Sequence, residues 1–287
     1  MKEPTLYIVA TPIGNTEDMT DRARRVLSEV DLIAAEDTRK TGVLLGLLEL
    51  PKKPFVSYYD AVEGARSVQI VERIKKEGIS VALVSDAGTP CISDPGYRIV
   101  ALCRKEGIKV QAIPGPSALT TLVSGAGLPS SRLFFVGFLP TKEKALVEEM
   151  QSWQGLGASV VFYESPRRLQ KTLALLEKMA PSVQVAIGRE LTKMHEEVVL
   201  LPVEEAFLWA SQHKTLKGEV SVMVDLTAAD EEKIEVSAAD LKQQLFEELQ
   251  NGASFKDLLK KYRNRGLARG ELYAQLVLAK KEMEKDG

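Results

Sequence analysis

The stretch SDAGTPCISDPG, residues 85–96, packs two glycines, two prolines and two aspartates into a loop that directly follows the apolar run VALV, 81–84. Glycine permits positive φ and lets bare backbone approach a ligand. Proline fixes the path of the chain between such points. A carboxylate such as Asp86 accepts hydrogen bonds from ribose hydroxyls or an amino group. Two other loops have the same character: TPIGN, 11–15, with Gly14, and PGPSALTTL, 114–122, with Ser117 near a helix start. Each alone reads more readily as a tight turn. Three of them, all at the carboxyl ends of candidate strands, mark the crevice where open α/β sheets take ligands. No G-x-G-x-x-G follows a strand and no GK[ST] closes a loop, so the expected ligand is a nucleoside without a phosphate chain.

Acid–base groups sit in two further stretches. AEDTR, 35–39, carries Glu36, Asp37 and Arg39, and GRELTK, 188–193, carries Arg189, Glu190 and Lys193. A carboxylate there can take a proton, and a lysine or arginine can steady a developing oxyanion or hold phosphate. The same residues read equally as ion pairs or helix caps, and carboxylates beside cations keep low pKa values that weaken them as bases. His195 and His213 form no H-E-x-x-H or Cys/His cluster, so no metal site is expected. Cys91 and Cys103 make no disulfide framework, and no histidine lies near Cys91 in sequence to activate it.

The elements that must hold these groups follow from periodicity. LYIVAT, DLIAAE, FVSYY, VALVSD and VQAIP read as buried strands separated by helical patterns beginning near Asp18 and Thr38 and covering 61–77 and 94–106. Strand and helix in alternation predict a largely parallel sheet with helices on both faces. Beyond a joining segment, 113–131, the strands LFFVGF, ASVVFYE, VQVAIGRE, EEVVLLP and EVSVMVDL alternate with helices over 142–151, 166–178 and 203–212. The acidic stretch TAADEEKIE, 227–235, reads as a linker to three short helices. The expected organisation is an α/β domain over 1–114, a second over 115–228 and a small helical domain over 236–287.

With 38 Lys and Arg against 40 Asp and Glu the net charge is −2, so any nucleic-acid contact must use local patches. Candidates are Arg22, Arg24 and Arg25; Lys52 and Lys53; Arg167 and Arg168; and, densest, Lys256, Lys260, Lys261, Arg263, Arg265 and Arg269, which read equally as a solvated helix face. No signal-like segment and no uncharged apolar run near ~20 residues is present, so a soluble cytoplasmic protein is expected.

LYIVATPIGN, AAEDTR, SDAGTPCISDPG, IPGPSALTTLVSGAGL, FVGFLP, FYESPRRL, GRELTKMHEE and KGE occur in this order over 5–226. In this the chain resembles the small-subunit ribosomal RNA methyltransferase branch of the tetrapyrrole methylase superfamily, and the helical tail resembles that branch's helix-turn-helix-like end. The resemblance implies two α/β domains with S-adenosyl-L-methionine in the cleft between them. It implies methylation of a cytidine ribose 2'-hydroxyl in the decoding region of 16S ribosomal RNA, and a homodimer. The cofactor site it implies comprises Gly14, Asp86, Ala87, Gly88, Thr89, Ile92, Ser93, Pro116, Ser117, Ala118, Tyr163, Lys217 and Gly218, the loop at 85–96 presenting its backbone to the ligand. Glu36, Asp37, Arg39 and Lys193 are the catalytic candidates for a reaction that needs the acceptor oxygen aligned and deprotonated but no metal. One stretch departs from the branch: a histidine-containing segment is expected after the third strand, and SYYDAVEG, 57–64, has none. Two other functions remain open, a small-molecule methylase of the tetrapyrrole type on the same fold, and a nucleoside- or RNA-binding protein without activity.

Overall fold

The computed structural model describes residues 3–212 and 217–227, together with isolated positions between 245 and 278. All but the first residue of the expected linker, most of the helical tail including its whole basic cluster, and His213 fall on residues outside those described. Among the described residues no helix is long and apolar enough to cross a membrane.

Five parallel strands, β1 (Thr5–Val9), β2 (Leu32–Ala35), β3 (Phe55–Ser57), β4 (Val81–Val84) and β5 (Lys109–Ile113), form one sheet in the order β3-β2-β4-β1-β5. Alternation along β2 divides the core: Ile33 and Ala35 meet α1 (Asp21–Glu29) and α2 (Thr38–Leu47), while Leu32 and Ala34 meet α3 (Glu63–Glu77) and α4 (Tyr97–Lys105). Because both faces are covered, β2 and β4 are buried throughout, which is why they read as continuous apolar runs. Thr20 caps α1 by accepting from Ala23 N at 3.2 Å.

Helix α4 starts at Tyr97, three residues later than the periodicity predicts, because Pro95 and Gly96 (φ 143°) interrupt the helical path. No side chain of its own caps it. Glu63 does so from α3, its Oε1 accepting from Gly96 N at 2.8 Å and Arg98 N at 3.3 Å. Glu63 is itself only 8% exposed and accepts from the buried Tyr58 hydroxyl at 3.1 Å. The stretch that departs from the family pattern thus builds a bracket that fixes the far end of the loop at 85–96.

A bridge containing α5 (Ala118–Gly125) leads to a second sheet, β6 (Leu133–Phe138), β7 (Ser159–Glu164), β8 (Gln184–Arg189), β9 (Glu197–Pro202) and β10 (Val220–Asp225), in the order β6-β7-β10-β8-β9. Only β6 and β7 run parallel; the other neighbours are antiparallel. One face packs on α6 (Glu143–Gln151), α7 (Pro166–Met179) and α8 (Val203–Gln212), with Trp153 stacked on Phe162 at 5.8 Å. The other face, through Val161, Ala186 and Met223, packs on Leu122 and Ala126 at the end of the bridge. The bridge helix is therefore part of the second core, and it seats the second sheet beside the carboxyl ends of the first.

Candidate functional site

Between the two sheets opens a cleft of about 530 Å³, within the range of small-molecule sites. The loop after β4 supplies Asp86, Ala87, Gly88, Thr89, Ile92 and Asp94, the loops after β1 and β2 supply Ile13 and Glu36, and the first turn of α2 supplies Lys40. The bridge adds Ser117 and Ala118, and the second sheet adds Phe138, Tyr163, Glu164, Gly218 and Glu219. Nine of the residues expected to hold a cofactor are thus brought together. Gly14, Ser93, Pro116 and Lys217 are not in the wall: Pro116 accepts from Thr89 Oγ1 at 2.9 Å behind it, Ser93 faces β6, and Lys217 is exposed.

The loop at 85–96 does not present its backbone as freely as its composition implies. Gly88 donates to Thr11 O at 3.0 Å and accepts from Thr11 N at 2.9 Å, so both its peptide groups staple the loop to the end of β1. Asp86 N donates to Glu36 at 3.3 Å, while Asp86 Oδ1 accepts from Asp37 N at 3.0 Å and Oδ2 from Lys40 Nζ at 2.7 Å. The ligand-facing surface is therefore made by side chains and by neighbours of the glycines. What Gly88 contributes is a fixed junction of three loops.

Of the four catalytic candidates, only Glu36 lines the cleft. Asp37 is the N-cap of α2, accepting from Arg39 N and Lys40 N, and the Arg39 side chain holds its carboxyl down to about 2. So low a proton affinity makes it a poor base. The Arg39 side chain is 89% exposed on Asp37. Lys193 Nζ lies 2.8 Å from Glu190 and 3.0 Å from Glu219, on the way from β8 to β9. Burial draws its ammonium down, but the two carboxylates outweigh this and its pKa is raised. Its stem fills the space beside Gly14, where a Cβ would overlap Lys193 Cγ, so Lys193 ties the first loop to the second sheet. Arg189 pairs with Glu197 at 3.2 Å. Arg168 donates to Leu139 O at 3.2 Å and Pro140 O at 2.6 Å, and Arg24 to Leu48 O at 3.4 Å, so these basic candidates brace the fold.

Sequence reasoning missed Asp94, the second aspartate of the same loop. Burial pushes its carboxyl up to about 6, with Glu36, Asp86 and Asp60 adding to the rise and Ser85 opposing it. Burial likewise raises the neighbouring Tyr163 hydroxyl and pushes the Cys91 thiol to about 11, which leaves Cys91 a poor nucleophile. The signal for Asp94 was its place in a loop already singled out. The signal for Lys40, one residue beyond AEDTR, was weaker, since only the fold sets it on Asp86. Among the described residues no group of three His, Cys, Asp or Glu is arranged to hold a metal.

Lys40 pairs with Asp86, Lys193 with Glu219 and Arg168 with Glu164, so the negative character of this wall comes from Glu36 and Asp94. Such a cleft favours a ligand with cationic groups and hydroxyls over one with a phosphate chain. Ile13, Ile92 and Ala118 add apolar surface for a planar base. The residues present fit a nucleoside that carries positive charge.

Residues 5–206 match the family model of the tetrapyrrole (corrin/porphyrin) methylases. The chain is 44% identical over 223 residues to the ribosomal RNA small subunit methyltransferase I of Vibrio cholerae, covering 77% of each chain. It is 46% identical over 219 residues to that of Thermotoga maritima, covering 76% of this chain and 97% of the relative. Among solved structures, the fold is similar to the methyltransferase CobJ, with a TM-score of 0.57 at 16% identity over 77% of this chain and 93% of the other. It is also similar to uroporphyrin-III C-methyltransferase from Thermus thermophilus in complex with S-adenyl homocysteine, with a TM-score of 0.53 at 18% identity over 76% and 96%.

Proposed function

The chain belongs to the tetrapyrrole (corrin/porphyrin) methylase family, and from that premise we propose that it is an S-adenosyl-L-methionine-dependent methyltransferase of small-subunit ribosomal RNA. The observation that carries the cofactor is the acid-lined cleft at the carboxyl edge of the parallel sheet. When bound there, S-adenosyl-L-methionine supplies a methyl group on a sulfonium that departs as a neutral thioether. Asp86, Ala87, Gly88, Thr89, Ile92, Ser117, Ala118, Tyr163 and Gly218 would hold it, with Gly14, Ser93, Pro116 and Lys217 behind or beside them.

The acceptor we infer is a cytidine ribose 2'-hydroxyl in the decoding region, as the resemblance implies. A hydroxyl is a weak nucleophile until its proton has somewhere to go. Asp94 and Glu36 are the cleft carboxylates that can take it. Asp94 suits the task better, because a carboxyl near 6 is largely ionised at pH 7 yet binds a proton more firmly than an ordinary carboxylate. Orientation of the hydroxyl against the methyl group supplies the remainder of the acceleration. The small-molecule reading rests on structural neighbours at 14–20% identity, which speak for the fold alone, whereas the relatives at 42–46% identity are named for ribosomal RNA. The active assembly we infer is a homodimer, which light scattering on purified protein would check, and the compartment we infer is the cytoplasm, which cell fractionation would check.

The test is transfer of labelled methyl from S-adenosyl-L-methionine to small ribosomal subunits taken from a strain lacking the enzyme, followed by mass mapping of the modified ribose. One new ribose methyl on a decoding-region cytidine is expected. Cofactor binding without any transfer would overturn the reading.

A further inference from the structure

Strand β6 is irregular at one point. Phe135 pairs with Val161 and Gly137 with Phe162, so Val136 is an extra residue, a bulge in the ladder with β7. In a regular strand Phe135 and Phe138, three apart, would face opposite sides of the sheet. The bulge shifts the alternation by one. Both rings then lie on Tyr163, edge-on, with centroids 5.2 Å and 5.4 Å away. Gly137 makes this possible: its φ is +77°, and a Cβ there would sit 2.7 Å from Ser93 Oγ in the loop at 85–96. Beyond Phe138 the chain is pinned by Arg168, which donates to Leu139 O and Pro140 O while pairing with the buried Glu164 at 3.5 Å.

The result of this local construction is a phenyl ring in the wall of the cleft that remains 67% exposed. A large apolar side chain this exposed in a cleft wall is available to a planar partner. Its backbone is fixed on both sides, so a planar group docking on it loses little entropy in ordering the site. The aliphatic part of the lining, Ile13, Ile92 and Ala118, comes from the loops of the first sheet and the bridge, whereas the aromatic part comes from β6 and β7 of the second. The cleft thus offers two apolar surfaces on different elements, and a methyl transfer between two nucleosides has two bases to seat.

We propose that Phe138, backed by Tyr163, stacks the nucleobase of the nucleotide being methylated, so that the aromatic edge of the second sheet is the acceptor-base platform. This rests on the reading of the protein as an RNA methyltransferase. Aromatic rings take any base by its face, so the platform positions the nucleotide while leaving its identity to other contacts.

Phe138→Ala and Phe138→Tyr separate the possibilities. The alanine variant should lower kcat/KM on small ribosomal subunits by about 5- to 150-fold, the span expected for losing one stacked base. The tyrosine variant should stay within about 2-fold, and calorimetry should give both variants the wild-type affinity for S-adenosyl-L-methionine. Unchanged kcat/KM in Phe138→Ala, or a parallel loss of cofactor affinity, would overturn the proposal. If the wild-type protein transfers no methyl to the subunits, the RNA reading itself falls, and the emission of Phe138→Trp still decides the stack. Quenching by oligocytidylate and not by an abasic ribose-phosphate polymer upholds it; equal quenching, or none, overturns it.

Discussion

Lys40 Nζ lies 2.7 Å from Asp86 Oδ2, so the lysine of the cleft wall is committed to the aspartate that heads the ligand loop. The pair is lopsided: the Lys40 side chain is 67% exposed, while that of Asp86 is 24% exposed and also accepts from Asp37 N. Asp86 is therefore the anchor and Lys40 the movable partner. Removing the Asp86 charge frees Lys40 into the cleft and leaves the Asp37 N–H donating to a neutral, weaker acceptor. Asp86→Asn should weaken S-adenosyl-L-methionine binding about 10- to 100-fold by calorimetry, as for a lost hydrogen bond to a charged group, with a thermal midpoint close to wild type. Lys40→Met should weaken it far less, about 3-fold or under, since an exposed ion pair contributes little.

Asp94 gives the cleft a pH dependence whose sign is fixed. Its folded value of about 6 lies above the ordinary 3.8, so between those values the folded protein holds a proton that the unfolded chain has released. The stability tied to that proton is complete below about pH 3.8 and is lost as pH rises through about 6. Relative to Asp94→Asn, the wild-type protein should lose about 1–2 kcal/mol over that window in urea titrations, a figure already reduced for the partial exposure of the group. Cofactor binding should move the other way. A cation favours the ionised carboxylate, so affinity should rise about 3- to 10-fold from pH 5 to pH 7 in the wild type. It should stay flat in Asp94→Asn. A wild-type affinity that ignores pH across this range would remove Asp94 from the site.

The strands and helices of 5–226 were legible because their apolar periods are intact. LIAA and VALV read as buried strands since both faces of the first sheet are covered. The loops that follow β1, β4 and β5 were legible from their glycines and prolines, although Gly14 and Pro116 stand outside the cleft wall. What could not be read is what depends on non-local pairing. Gly137 inside LFFVGF marks a place where a bulge can form, but a run that is apolar throughout does not say which way Phe138 faces; that is set by the pairing with β7. Lys193 looked catalytic beside Glu190 in sequence, but Glu219 and Gly14, which define its job, reach it only through the fold. The rise in Asp94 comes first from its burial between the loops, with Glu36, Asp86 and Asp60 adding to it, and both depend on segments that only the fold brings together.

Glu63 should matter for stability well beyond its surface-helix address. Its Oε1 accepts from Gly96 N, Arg98 N and the Tyr58 hydroxyl, and Oε2 lies 3.4 Å from Arg98 Nε. Alanine at this position leaves the first turn of α4 and a buried hydroxyl without their acceptor. Glu63→Ala should cost about 2–4 kcal/mol in urea unfolding, and Tyr58→Phe about 1 kcal/mol, since Ser67 Oγ at 2.9 Å then keeps its own bond to Glu63 O. Equal effects of the two substitutions would mean that the bracket does not cap α4.

Lys193 and Gly14 should behave as a coupled pair. Gly14 has φ +148° and no room for a Cβ beside the Lys193 stem, while the ammonium is held by Glu190 and Glu219 on the second sheet. A methyl group at Gly14 must push the lysine off both carboxylates, and Glu219 lines the cleft. Gly14→Ala should therefore lower both stability and cofactor affinity. In a Lys193→Ala background the same change no longer meets the lysine stem, and the strain of the backbone angle remains. A double-mutant cycle should return a coupling of about 1–2 kcal/mol, with the double variant more stable than additivity predicts. Lys193→Ala alone should reduce kcat/KM on small ribosomal subunits about 10-fold while leaving the pH profile of kcat unshifted. That outcome separates a lysine that positions the two sheets from one that stabilises the reacting oxygen, for which the loss would fall on kcat and the profile would move.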